Sequence, residues 1–150
     1  MIYLSQRNPA WSKVFVGKTK RTIGQIGCTI SCVSMLSDYF GCYVSPDVIA
    51  RKAKFTLDGL LIWSSLASII KGMRFVERVY RRNNVKINDS LTNPNKAVIL
   101  QVDYGSHWVV ALRDPKFSED YLCLDPLKGK TCLAIGDYRN ITGSAHFMKT

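Results

Sequence analysis

From Thr29 to Phe40 the apolar residues Ile30, Val33, Met35, Leu36, Tyr39 and Phe40 recur near a 3.6-residue period with no helix breaker among them, and Gly41 follows. That pattern predicts a buried helix with a left-handed glycine stop. Ahead of it, Met1 to Arg21 reads as irregular: Pro9, Gly17 and the cluster Lys18-Thr19-Lys20-Arg21 interrupt it, while Trp11, Val14, Phe15 and Val16 anchor it to the body. After the helix, Ser45-Pro46-Asp47 supplies a capping residue, a proline at the first helical position and an early acid. A short second helix is expected to about Lys54, with Val48, Ile49 and Ala53 facing inward. Thr56-Leu57-Asp58-Gly59 is a turn, and Leu61 to Lys71 predicts a third helix stopped by Gly72.

Past Gly72 the period shortens. Arg74 to Arg82 alternates in part and is rich in Phe, Val and Tyr, which predicts a strand. Asn83-Asn84 and Asn88 to Lys96 carry turn chemistry around a brief edge element, Val85-Lys86-Ile87. Ala97 to Val102 is apolar on both faces, Gly105-Ser106 turns the chain, and His107 to Leu112 returns. Tyr121 to Asp125 and Thr131 to Ile135 predict a hairpin around Pro126 to Lys130, and Ala145 to Met148 a last edge strand. Helices first and an antiparallel sheet second make an α+β layout, one domain over residues 1–150.

Composition narrows what such a domain does. Hydrophobic residues are 47% and charged residues 21% of the 150, enough apolar surface for a packed core and no sign of global disorder. No apolar run approaches the ~18–20 residues of a membrane helix. Met1 to Arg7 lacks a basic-then-apolar signal pattern, so a cytoplasmic or phage-encoded protein is expected, the latter acting in the host cytoplasm, in a virion or on release at lysis. The formal net charge of +10 suits a polyanionic partner such as nucleic acid or a cell-wall polymer, although the basic residues are scattered and no nucleic-acid motif accompanies them. Five cysteines leave at least one unpaired, and their spacing with only two histidines does not fit a zinc site, so no metal or cofactor is expected. If Pro126 to Gly129 is the hairpin turn, Cys123 and Cys132 fall opposite each other, and packed, reduced thiols are the expectation for both.

Candidate chemistry centres on Gly24-Gln25-Ile26-Gly27-Cys28-Thr29. This loop delivers Cys28 to the first turn of the predicted helix, where unpaired backbone N–H groups and the helix dipole favour an anion and hence a reactive thiolate. Gln25, three residues upstream, offers a side-chain amide as half of an oxyanion hole. His107 opens a strand and Asp125 closes the next long one; if those strands pair, both reach one edge of the sheet as base and orienting carboxylate for Cys28. Asp103 and Asp114-Pro115 are competing carboxylates, Asp125-Pro126 is also a plain turn starter, and His146 reads as a surface or packing residue. Trp108, Trp63 and Tyr104 are candidates for walling a substrate groove or for core packing.

Gln25-x-x-Cys28 at a helix start, His107-Trp108-Val109-Val110, and Leu124-Asp125-Pro126 with Gly129 resemble the bacteriocin-processing (double-glycine leader) peptidases and the stand-alone domains related to them, a papain-like cysteine peptidase superfamily. Leu4-Ser5-Gln6-x-x-Pro9-x-Trp11 and Gly27-Cys28-Thr29 followed by Met35 extend the likeness over roughly residues 3 to 148. The resemblance implies a papain-like fold and a Cys28–His107–Asp125 triad with Gln25 as oxyanion donor. One departure limits it: transporter-linked leader peptidases usually carry Asp before the nucleophile and Gly after it, whereas Gly27 and Thr29 stand here. Double-glycine specificity is therefore not carried over. The expected activity is hydrolysis of a peptide or related amide through a thioester, the bond lying in a protein precursor or, for an endolysin, in a peptidoglycan cross-link. The alternatives are an inactive binding or structural protein on the same scaffold, such as a virion component, and an acyl transferase using the same triad.

Overall fold

The computed structural model describes residues 1–112 and 120–150, so the Asp114-Pro115 candidate lies outside the described residues. The periodic stretch folds as α2 (Cys28–Tyr39), preceded by a single turn, α1 (Ile23–Ile26), and followed by α3 (Pro46–Lys52). Gly41 adopts φ 78° just beyond α2, the left-handed conformation a helix stop requires. Strands β1 (Met73–Val79), β2 (Lys96–Val102), β3 (His107–Ala111), β4 (Leu122–Asp125), β5 (Lys130–Leu133) and β6 (Ile141–Lys149) make one antiparallel sheet in the order β1-β6-β2-β3-β4-β5. The fold is α+β, with most of the helix N-terminal and the sheet C-terminal.

Both faces of the sheet are covered. On one, Ile99, Trp108, Val110, Leu124, Ala145 and Phe147 pack against the helices of the first half. On the other, Val98, Leu100, Val102, Val109, Ala111 and Cys123 meet Ile87 and Tyr138 from two further helices, α4 (Asn84–Thr92) and α5 (Ala134–Tyr138). This explains why β2 reads as apolar on both faces.

Four expectations are corrected. Asn88 to Lys96 is not a run of turns around an edge element: the Asn83 side chain accepts the Lys86 N–H at 3.1 Å and starts α4, whose Ile87 and Ser90 are buried on the sheet. Leu61 to Lys71 is not a helix but a 3₁₀ turn over Trp63–Ser68. Leu61 is instead bridged to Phe55, and the Ser65 hydroxyl donates to Ile62 O while accepting the Lys54 N–H, contacts that compete with helical ones. The second hairpin strand ends at Leu133, because the Asp120 carboxylate accepts the N–H groups of Ile135 and Gly136 and caps α5. The last strand is not at the edge: β6 lies between β1 and β2. The predicted hairpin register holds, with Cys123 opposite Cys132, and all five cysteines are unbridged.

The N-terminal segment fastens the two halves together. The Gln6 N–H donates to Pro126 O at 2.9 Å in the β4–β5 turn, and its side-chain Nε2 donates to Gly24 O at 3.2 Å in α1. The Tyr3 hydroxyl donates to the backbone carbonyls of Asp125 and Lys130.

Asn83→Ala removes the cap of α4, on the sheet face away from Cys28. It is expected to lower stability by about 1 kcal/mol in denaturant unfolding, while leaving the reactivity of the cysteines unchanged.

Candidate active site

Gly27 closes α1 and opens α2, so the chain passes from one helix to the next in a single residue. A β-carbon there would sit 2.5 Å from Ile23 O and 2.5 Å from Ile23 Cγ2, which only glycine avoids. The first rung of the α2 ladder is Ser31 N–H to Gly27 O at 2.9 Å. The amides of Cys28, Thr29 and Ile30 fall outside that ladder, at the positive end of the helix.

His107 and Asp125 come together by strand pairing. The register Val110–Leu124 and Ala111–Cys123 sets Asp125 across from Val109, two residues from His107 on the same face. Across that diagonal, His107 Nε2 and Asp125 Oδ1 are 2.9 Å apart, both side chains buried. With Nε2 engaged, Nδ1 is the ring nitrogen left for the Cys28 thiol. Burial alone would discharge the imidazole, but hydrogen bonds to the Asp125 carboxylate and to the Cys28 thiol outweigh it and raise the ring's pKa to about 9. Burial likewise pushes against the charged form of Asp125, yet donors from His107, Tyr138 and the Leu127 N–H hold its carboxyl below the usual range. The Leu127 N–H reaches Oδ1 at 2.9 Å, and the Tyr138 hydroxyl donates to Oδ2.

The loop ahead of His107 is strained. Asp103 and Tyr104 adopt φ 51° and 56°, followed by Gly105 at 89°. Non-glycine residues in that region cost on the order of 1–3 kcal/mol each and persist where neighbours over-determine them. Here the Ser106 hydroxyl bonds Asp103 O at 2.7 Å, and the Tyr104 N–H donates to Asn140 Oδ1 at 2.8 Å.

Cys28 and His107 open onto one cavity of about 470 Å³, lined also by Gln6, Gln25, Trp108 and Tyr138. Besides His107, its charged wall residues are Arg21, Asp58 and Asp103, a near-neutral mouth on a strongly basic protein. Gln25 Oε1 accepts the Thr22 N–H at 2.9 Å, which ties down one end of the amide and leaves its NH2 as a donor on the cavity wall. Gln6 differs: its NH2 is spent on Ile23 O and Gly24 O, while its buried Oε1 has no partner. Of the candidate groove residues, Trp108 lines the cavity. Trp63 is stacked on Phe75 at 5.3 Å and set edge-on to Trp108 at 5.7 Å, and Tyr104 is 70% exposed at the strained loop; neither is on the cavity wall. Asp103 bonds the Ser106 hydroxyl rather than the imidazole, and His146 is packed between the hydroxyls of Ser90 and Ser144. Tyr138 reaches the site without any signal in the sequence pattern, and Gln6 figures there only within the likeness over residues 4–11, with no role at the site. Chain-distant partners hold each in place, Asp125 for Tyr138 and the carbonyls of α1 for Gln6.

Among the described residues, no group of three or more His, Cys, Asp or Glu is gathered to hold a metal ion, and no helix is long and apolar enough to cross a membrane.

The peptidase C39 family matches residues 19–140, a span that includes Gln25, Cys28, His107, Asp125 and Tyr138. Among solved structures, the fold is similar to the N-terminal peptidase C39-like domain of the toxin secretion ATP-binding protein from Vibrio parahaemolyticus. The TM-score is 0.57 at 19% identity, over 82% of this chain and 97% of that one. No curated protein matches the chain.

The ion pair dictates a pH response. A ring titrating near 9 when folded and near 6.5 when unfolded contributes its stabilisation fully below about 6.5 and loses it as pH rises through about 9. Following the His107 ring by NMR should give a pKa near 9. Asp125→Asn should bring it down by about 1–3 units.

Proposed function

The chain belongs to the peptidase C39 family, and we propose that residues 1–150 act as a single cysteine peptidase domain that cleaves a peptide bond through a thioester. With its proton held on His107 Nδ1, Cys28 Sγ attacks the carbonyl carbon. The resulting oxyanion is held by the Gln25 NH2 and the Cys28 backbone N–H. Collapse breaks the C–N bond, and the amine leaves with the proton from the imidazolium. Water, deprotonated by the same ring, then adds to the thioester and frees the acid and the thiol. Asp125 holds the ring by Nε2 throughout and balances its charge when protonated.

The observation that carries this reading is the buried His107–Asp125 pair, whose histidine shares a cavity with Cys28 at the start of a twelve-residue helix. Family membership supports the reaction class. A polyanion-binding role finds less support, because the cleft wall sets Asp58 and Asp103 beside Arg21 and His107, in contrast to the protein's strongly basic net charge. A protein or peptide chain is therefore the substrate class we assign.

Incubating the protein with a proteome-derived peptide library and reading new termini by mass spectrometry tests the proposal. Cys28→Ala should abolish cleavage and leave the thermal unfolding curve in place, whereas equal cleavage by that variant overturns the assignment. Gln25→Ala should lower kcat by ~10²–10³, with a stability cost of only about 1 kcal/mol from the lost Thr22 N–H bond. Gln6→Ala should act chiefly on stability, because its amide is spent on backbone carbonyls.

A further inference from the structure

Asp125 is fully buried, and a buried carboxylate needs donors for both oxygens. Oδ1 has two, the His107 ring and the Leu127 N–H. For Oδ2 the donor is Tyr138, the last residue of α5. The carboxylate torsion is broad and roughly two-fold, so contacts to Oδ1 alone do not fix which oxygen meets the imidazole. Tyr138 also covers the histidine: the two ring centroids are 4.8 Å apart at 46°. The Lys128 ammonium sits 5.0 Å from the tyrosine centroid, a cation–π distance.

The backbone around Tyr138 points the same way. Among the described residues, the non-glycine positions with positive φ are Asp103, Tyr104 and Arg139. All three sit at this corner. Arg139, at φ 74°, reverses the chain between Tyr138, which holds Asp125, and Asn140, whose Oδ1 takes the Tyr104 N–H in the loop that carries His107. Strain gathered at one spot is a signature of enforced geometry. One short segment, 138–140, thus restrains the carboxylate and the loop of the histidine together.

We propose that Tyr138 is a positioning residue of the peptidase site, its hydroxyl locking the Asp125 carboxylate so that Oδ1 stays on the imidazole and its ring keeping water from that contact. This rests on the reading of Asp125 and His107 as catalytic. The groups facing the carboxylate are His107 from β3, Tyr138 from α5, Tyr3 on its backbone carbonyl, Cys32 from α2, and Lys130 across the β4–β5 ladder. Cys132 and Asp137 flank the tyrosine itself. Of these, the hydroxyl of Tyr138 is the donor to Oδ2, and its loss disfavours the charged carboxylate.

The test is Tyr138→Phe in the full chain, which keeps the ring and removes the hydroxyl. With 13C-labelled aspartate, the Asp125 carboxyl should titrate about one pH unit higher than in the wild type. In turnover, kcat should fall roughly tenfold, the rate equivalent of one hydrogen bond, with KM unchanged within about twofold. In an Asp125→Asn background the same change should alter kcat by less than about twofold, because the tyrosine acts through the carboxylate. An unmoved Asp125 titration, or a full loss repeated in the Asp125→Asn background, overturns the proposal. Should Tyr138→Phe fail to fold, the wild type still decides. A slowly exchanging, downfield Tyr138 hydroxyl proton that shifts as Asp125 titrates supports the lock, and a freely exchanging one overturns it. Carboxyl titration needs no substrate, so a failure of the peptidase reading itself shows separately, as absent turnover with the Asp125 shift intact.

Discussion

A carboxylate with no contact with water has to be surrounded by donors, and at Asp125 that requirement gathers the rest of the site. The imidazole of His107 comes from β3, a main-chain amide from the β4–β5 turn and a hydroxyl from α5. Each donor arrives on a different element, so the ion pair exists only when strand register, turn and helix are all in place. Truncating one partner would leave a buried charge unpaired, which is far more costly than the pair is worth in net stability. The pair is therefore both a constraint on the fold and the feature that keeps a histidine charged in a buried position.

The thiol comes from the other half of the molecule. Cys28 stands where α1 gives way to α2 through a glycine that admits no side chain, and the helix is seated on the sheet through Trp108, Val110 and Leu124. What holds the two halves in register is the N-terminal segment. Gln6 bonds α1 and the β4–β5 turn at once, and Tyr3 ties the carbonyls of Asp125 and Lys130. Cys28 and Asp125 are thus joined by a strap of residues that themselves lie mostly outside the family match.

Much of this was legible in the chain because local rules decide it. The helix of Cys28 follows from an uninterrupted apolar period and a glycine stop, and the meeting of His107 with Asp125 follows from turn placement and antiparallel register. Where long-range contacts decide, the pattern misleads. The segment Asn84–Thr92 is polar and asparagine-rich, yet its few apolar positions find the far face of the sheet and Ser90 finds His146. Serines break the apolar run after Leu61 by bonding backbone carbonyls, and the Asp120 carboxylate caps a helix fifteen residues away. The interior place of β6 is a matter of pairing order, which no single stretch encodes. Tyr138 escapes sequence reading for the same reason: nothing around it marks a residue whose partner lies on another strand.

The central claim is that the thiol of Cys28 and the ring of His107 work as one reactive unit, and thiol alkylation tests it most directly. Treating the native protein with limiting iodoacetamide at neutral pH and locating the adduct by peptide mapping compares all five cysteines in one experiment. Selective modification of Cys28, slowed in His107→Ala to the rate of an ordinary exposed thiol, is the predicted result. Modification of Cys28 no faster than of Cys42, or a rate indifferent to the loss of the imidazole, would contradict it.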